Sequence, residues 1–180
     1  MDANKQPIPE VEVLVRALDS GSAEGDAITD TDGSYTIKGM SAGNYVVETN
    51  PDNTNFLDAY YDNVLEFDDV IPVKETQPAE TSGIDFQLEL GGTISGIVLD
   101  PSNQPIAEVS VYVLDLNGSF SGNAETCMDS RYIIIGLSSG NFRARTNTYN
   151  TNFIDAVYHN VLDFDEATSV SVTQRQRLQL

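Results

Sequence analysis

Two stretches of this 180-residue chain hold side chains whose types and spacing could do chemistry. The first is Asp30-Thr31-Asp32-Gly33, alternate carboxylates at a glycine turn. Ca2+ takes about six to eight oxygen ligands, with carboxylates and backbone carbonyls prominent. Asp30 and Asp32 are therefore candidate Ca2+ ligands, with Asp19, Glu24 and Asp26 close by in sequence. The loop lacks the acidic residue that an EF-hand places ~12 positions on. The competing reading is that Asp32 simply makes the turn. The second stretch interleaves aromatic rings with Asp and Asn from Phe56 to Phe67, and again from Phe153 to Phe164. Tyr61 and Asn63, with Tyr158 and Asn160, would give a sugar a stacking ring and hydrogen-bonding amides. The same rings would equally plug the edge of a β-sandwich.

Nothing else in the chain supports catalysis. A Ser-His-Asp arrangement needs a base oriented by a third group, and the single histidine, His159, stands where its sequence copy has Asp62. Cys127, mid-strand or at a strand end beside Met128 and with no cation nearby in sequence, is expected to be buried and inert. Gly91-Gly92 lacks the strand–loop–helix setting of a phosphate loop. The chain reads as non-enzymatic, with Ca2+ as its only candidate cofactor.

Charge narrows the partners. Nine basic residues against 28 acidic ones leave a formal net charge of −19. Nucleic acid and anionic membranes are bound through Lys and Arg clusters, which are missing here. So acidic a surface stays soluble by self-repulsion and attracts cations. No apolar run approaches the ~18 residues of a membrane helix. Met1 to Lys5 does not open a signal peptide, so any export signal lies outside this stretch. One cysteine makes no internal disulfide.

The elements that must position these residues occur twice. Asp32-Gly33 is a tight-turn dipeptide, followed by Tyr35 and Ile37 on one face of a strand. Gly39 and Gly43 bracket the next turn, and Tyr45 and Val47 form a second apolar stripe. The block returns from Asp129 to Phe142, with Tyr35 and Tyr132, like Gly43 and Gly140, 97 residues apart. Thr54 to Asp68 matches Thr151 to Asp165 at 11 of 15 positions. The chain is thus a tandem duplication, residues 1–90 and 91–180, each near the size at which a domain folds alone.

Within the repeats, Val11, Val13 and Val15 share a face, as do Val109, Val111 and Val113. Asp19 to Asp26 is a loop by composition. Asp69 to Glu75 reads as an edge strand interrupted by Pro72, and the alternation from Gly83 to Leu90 closes the first repeat as a strand. No segment keeps a helical period. The fold class is all-β, two sandwiches in a row.

Several motifs resemble a known family: Gly92 to Asp100, Gln104 to Val113, Asp30 to Tyr45 with its copy Asp129 to Phe142, and Tyr61 to Asn63. Together they are similar to carboxypeptidase regulatory-like domains, the transthyretin- or prealbumin-like sandwiches related to Cna B-type repeats. The resemblance implies Greek-key sandwiches of about seven strands each, on an extracellular or cell-surface protein. It implies a structural role as stalk, spacer, adhesin or fibre subunit, with copies of itself in a homopolymer or another surface protein as partners. The alternative it allows is a carbohydrate-binding accessory module of a secreted enzyme, with a glycan as ligand. Two departures stand out: repeat 2 has Cys127-Met128-Asp129-Ser130 in place of Asp-x-Asp-Gly, and repeat 1 lacks the opening strand, Met1-Asp2 aligning with Leu99-Asp100. The Lys–Asn cross-links common in the Cna type cannot occur as a matching pair. The three lysines are Lys5, Lys38 and Lys74, none in repeat 2.

A sandwich without its first strand leaves backbone groups unpaired and an apolar groove open to strand addition; either the chain is a fragment of a longer array, or the groove is filled in trans. The alternating tail with Arg175, Arg177, Leu178 and Leu180 is a candidate donor to another copy, building a head-to-tail filament. Alternatively it finishes repeat 2, since it aligns loosely with Asp85 to Leu88.

Overall fold

The computed structural model describes residues 1–51, 54–78, 80–149, 152–159, 161 and 163–173. The chain divides into two compact units, Met1–Leu90 and Gly91–Leu180. Both are β-structures built from antiparallel strands.

In unit 1, β1 (Glu12–Ala17) lies between β2 (Ala23–Ile28) and β3 (Gly43–Asn50). The short strands β4 (Ala59–Tyr60) and β5 (Val73–Glu75) both pair with β3. Period-2 alternation does what it predicts: Val11, Val13 and Val15 are buried with Tyr45, Val47 and Leu88 in one core. Each fully buried aliphatic side chain stabilises the fold by ~1.5–3 kcal/mol.

Unit 2 repeats the sheet. β7 (Ser110–Asp115) lies between β8 (Phe120–Glu125) and β10 (Gly140–Asn147), and β11 (Val170–Val172) flanks β10. Val111 and Val113 join Ile134, Leu137 and Phe142 in its core. A second sheet pairs β6 (Gly92–Ile97) with β9 (Arg131–Leu137).

The second layer separates the two units. Residues 34–40, the counterpart of β9, lie in no strand, and neither do residues 81–89. The strands expected at Tyr35–Ile37 and at Gly83–Leu90 are thus absent as ladders, because neither edge has the middle strand to bond. Only Leu90 makes a bridge, to Phe56. Among the described residues unit 1 has five strands and unit 2 has six, against the seven expected of each.

Two further expectations change. Asp19 to Asp26 is not all loop, because β2 begins at Ala23. Its glycine is a packing requirement: a Cβ at Gly25 would lie 2.8 Å from Cγ2 of Ile37, and one at Gly122 2.9 Å from Cγ2 of Ile134. Before β5, Phe67–Asp69 is a single 3-10 turn, so the ladder covers only Val73–Glu75. Pro72 has no N–H to give a ladder, which fits a strand that starts at the next residue.

Candidate functional site

The turn at Asp30 and Asp32 uses its own polar groups. The Asp32 carboxylate accepts from the Ser34 amide at 3.0 Å and the Ser34 hydroxyl at 2.7 Å. These bonds, the hydroxyl's first, hold the Asp32 carboxyl below its ordinary range. The Asp30 carbonyl accepts from the Gly33 amide at 2.8 Å. Among the described residues no group of three or more acidic, His or Cys side chains converges to hold a metal ion.

The aromatic segments are placed differently in the two units. Tyr61 is partly buried against the unit 1 core, and the Asn63 amide oxygen accepts from the Gln87 amide at 2.6 Å. Tyr158 is exposed and stacks on His159, ring centroids 4.2 Å apart. Asn160 lies outside the described residues, as do Arg175, Arg177, Leu178 and Leu180. His159 has φ 69° and its copy Asp62 has φ 65°. A left-handed turn that Asp and His both tolerate explains their exchange. Cys127 is exposed rather than buried, because it sits in the turn between β8 and β9 and not within a strand.

A larger feature lies in unit 1, where the second layer is incomplete. An apolar slot of about 820 Å3 opens between residues 34–40 and residues 81–86, with Val13, Val15, Tyr45 and Val47 along its floor. Among the described residues, no backbone N–H or C=O of residues 35–39 or 82–85 bonds to another backbone group. Ile37 and Met40 are half-buried there, whereas their copies Ile134 and Leu137 are 2% and 1% exposed. Tyr35 reaches across the slot, its hydroxyl donating to the Ile84 carbonyl at 2.7 Å. Burial, then the nearby Asp85 carboxylate and Tyr61, pushes its pKa up to about 12. Met1 lies beside the far edge: its nitrogen donates to the Phe86 carbonyl, and its carbonyl accepts from the Leu88 amide, both at 2.8 Å.

Unit 2 shows the same place filled. β6 runs antiparallel to β9, with Ile94 opposite Ile134 and Gly96 opposite Tyr132. A Cβ at Gly96 would lie 2.8 Å from the Tyr132 hydroxyl oxygen and 2.9 Å from its ring. The ring of Tyr132 therefore lies over a strand position that has room only for glycine.

Three structures from known proteins align with this chain. The Bacillus anthracis TIE protein aligns at 11% identity and TM-score 0.35, over 84% of this chain and 28% of its own. A streptococcal ancillary pilin aligns at 12% identity and TM-score 0.39, over 98% of this chain and 61% of its own. GBS52, the minor pilin of the Gram-positive pathogen Streptococcus agalactiae, aligns at 15% identity and TM-score 0.38, over 94% of this chain and 80% of its own. The chain spans less than two thirds of the first two. No protein-family model matches the sequence. No curated protein matches it either. Among the described residues no helix is long and apolar enough to cross a membrane.

Proposed function

We propose that this chain is a non-catalytic structural repeat module of a cell-surface protein, serving as part of a stalk, adhesin or fibre. One observation carries the reading: the duplication keeps the hydrogen-bonded framework while side chains at the turns change. The Asp2 carboxylate accepts from the amides of Asn4 and Gln6, and the Asp100 carboxylate from those of Ser102 and Gln104, all at 2.8 Å. The Thr29 hydroxyl takes the Val11 amide and donates to the Ile8 carbonyl; Thr126 does the same with Val109 and Ile106. By contrast, Asp62 becomes His159, and Asp30-Thr31-Asp32-Gly33 becomes Cys127-Met128-Asp129-Ser130. A site for catalysis or metal would keep its functional groups in any copy that kept the function. A mechanical or spacing role needs only the fold.

Two more features fit the role. The two units divide the chain at Leu90–Gly91, and tandem repetition is what a repeat-built surface protein is made of. The net charge of −19 keeps such an array soluble and its neighbours apart. An antibody raised against the purified chain tests the reading on intact cells of the source organism. Labelling before lysis, removed by brief external protease treatment, is the expected result. Labelling that needs lysis overturns it.

A further inference from the structure

We infer that copies of this chain join head to tail. The Phe67–Asp69 turn in unit 1 of one copy seats against a row of Tyr112, Phe120 and Arg145 on the outer sheet face of unit 2 in the next. The inference rests on the structural reading above and names the contact that builds the structure. The row crosses three strands on the face opposite the buried Val111 and Val113. The Arg145 guanidinium lies 5.8 Å from the Tyr112 ring centroid, and Phe120 meets Tyr112 edge-on at 6.3 Å. Phe120 is 64% exposed. Among the described residues no hydrogen bond or ion pair reaches the Arg145 guanidinium. The carboxylate it acts on, Asp155, accepts instead from the Thr148 amide and hydroxyl at 2.7 and 2.8 Å. Unit 1 has Leu14, Ala23 and Glu48 at the matching places, so the fold does not require the cluster. Aromatic rings with arginine are the side chains that dominate binding energy between proteins.

The duplication also shows what an arginine on this face takes. In unit 2 the Arg143 guanidinium lies over Phe164, 4.9 Å from its centroid, and donates to the Asp165 carboxylate and carbonyl, both at 3.3 Å. Unit 1 keeps that ring and carboxylate as Phe67 and Asp68 but has Val46 in place of Arg143. Phe67 touches Tyr60 edge-on and is otherwise 61% exposed. Among the described residues no cation lies over its ring, and no ion pair reaches Asp68. A ring and carboxylate without an arginine in unit 1 therefore match an arginine without a carboxylate in unit 2. Charge agrees with this direction, since unit 1 holds 19 of the 28 acidic residues and four of the nine basic ones. Two different surfaces on one chain make a heterologous contact, which continues from copy to copy.

The experiment is sedimentation equilibrium of the full chain over a concentration series in about 0.15 M salt, where a Debye length of about 8 Å screens the net charge but not a direct contact. The expected result is reversible association that grows with concentration. Arg145→Glu and Phe67→Ser are each expected to weaken it by about tenfold or more. An equimolar mixture of the two variants is expected to form a dimer and nothing longer, because each brings one intact surface. A variant that failed to fold could not complement the other in this way. A chain that is monomeric at every concentration overturns the proposal, since the row is then covered by its own chain or by a different protein. Association unchanged in either variant overturns it, and so does a mixture no more associated than its components. These readouts are independent of where the protein resides in the cell, so failure here and failure of the surface reading are told apart.

Discussion

At the scale of single residues, the fold is fixed by a few atoms with no freedom to change. Gly96 is one such case, since a Cβ there would lie 2.8 Å from the Tyr132 hydroxyl oxygen and 2.9 Å from its ring. Gly96→Ala should destabilise unit 2 by ~1–3 kcal/mol, the usual cost of overpacking a filled site. Denaturant unfolding measures it, and combining the change with Tyr132→Leu should recover part of the loss, because the two positions couple. Four aspartates follow a different logic. Asp2, Asp32, Asp115 and Asp155 lie below their ordinary value of 3.8 because each accepts hydrogen bonds, led by Gln6, Ser34, Ser119 and Thr148 respectively. A carboxyl depressed in the folded state binds its proton more weakly there than in the unfolded chain. Its contribution is present above about pH 3.8 and is lost as pH falls through the lower folded values. The melting temperature should therefore be flat from about pH 7 to 5 and fall below about 4. A fall beginning near neutrality would contradict this.

At the scale of elements, the two threonine clamps tie the β2 and β8 ends to the chain entering β1 and β7. Val109 is fully buried, and its amide bonds the Thr126 hydroxyl at 3.0 Å. Thr126→Val removes that partner while keeping the shape. Leaving a buried donor unpaired costs ~1–3 kcal/mol, so Thr126→Val should lower unit 2 stability by that amount, whereas Thr126→Ser should retain most of it. Urea midpoints of the two variants decide between loss of the bond and loss of packing. The β6–β9 ladder has the same status in unit 2 that the empty slot has in unit 1. Residues 131–137 form a strand with β6 beside them, while residues 34–40, which have no such neighbour among the described residues, form none.

At the scale of the whole molecule, each unit carries its own apolar core. Two-state unfolding is not the rule for chains with two such cores. Calorimetry should resolve two transitions, the lower one belonging to unit 1, whose second layer lacks a ladder. Thr126→Val should move the upper transition and leave the lower one in place. A single sharp transition shifted as a whole by Thr126→Val would refute this assignment. Self-repulsion from the net charge of −19 adds that salt should raise both, since screening is substantial once the Debye length falls to about 10 Å near 0.1 M.

The sequence by itself determined the duplication, the all-β class and the buried valine stripes, because a period of two and a repeated turn dipeptide are local signals. Tertiary structure decided the rest. Ala23-Glu24-Gly25-Asp26 looks like a loop in composition, yet it is β2, and Gly25 is there because Ile37 packs over it from a segment twelve residues on. Gly83 to Leu90 alternates as a strand should, yet residues 81–89 form none, because a strand is defined by its neighbour and not by its own pattern. Cys127 falls outside the core because a turn, which composition places only to within a few residues, ends β8 two positions earlier. The role of Gly96 is invisible until Tyr132 is set opposite it, since glycine in a strand marks a close approach without saying to what.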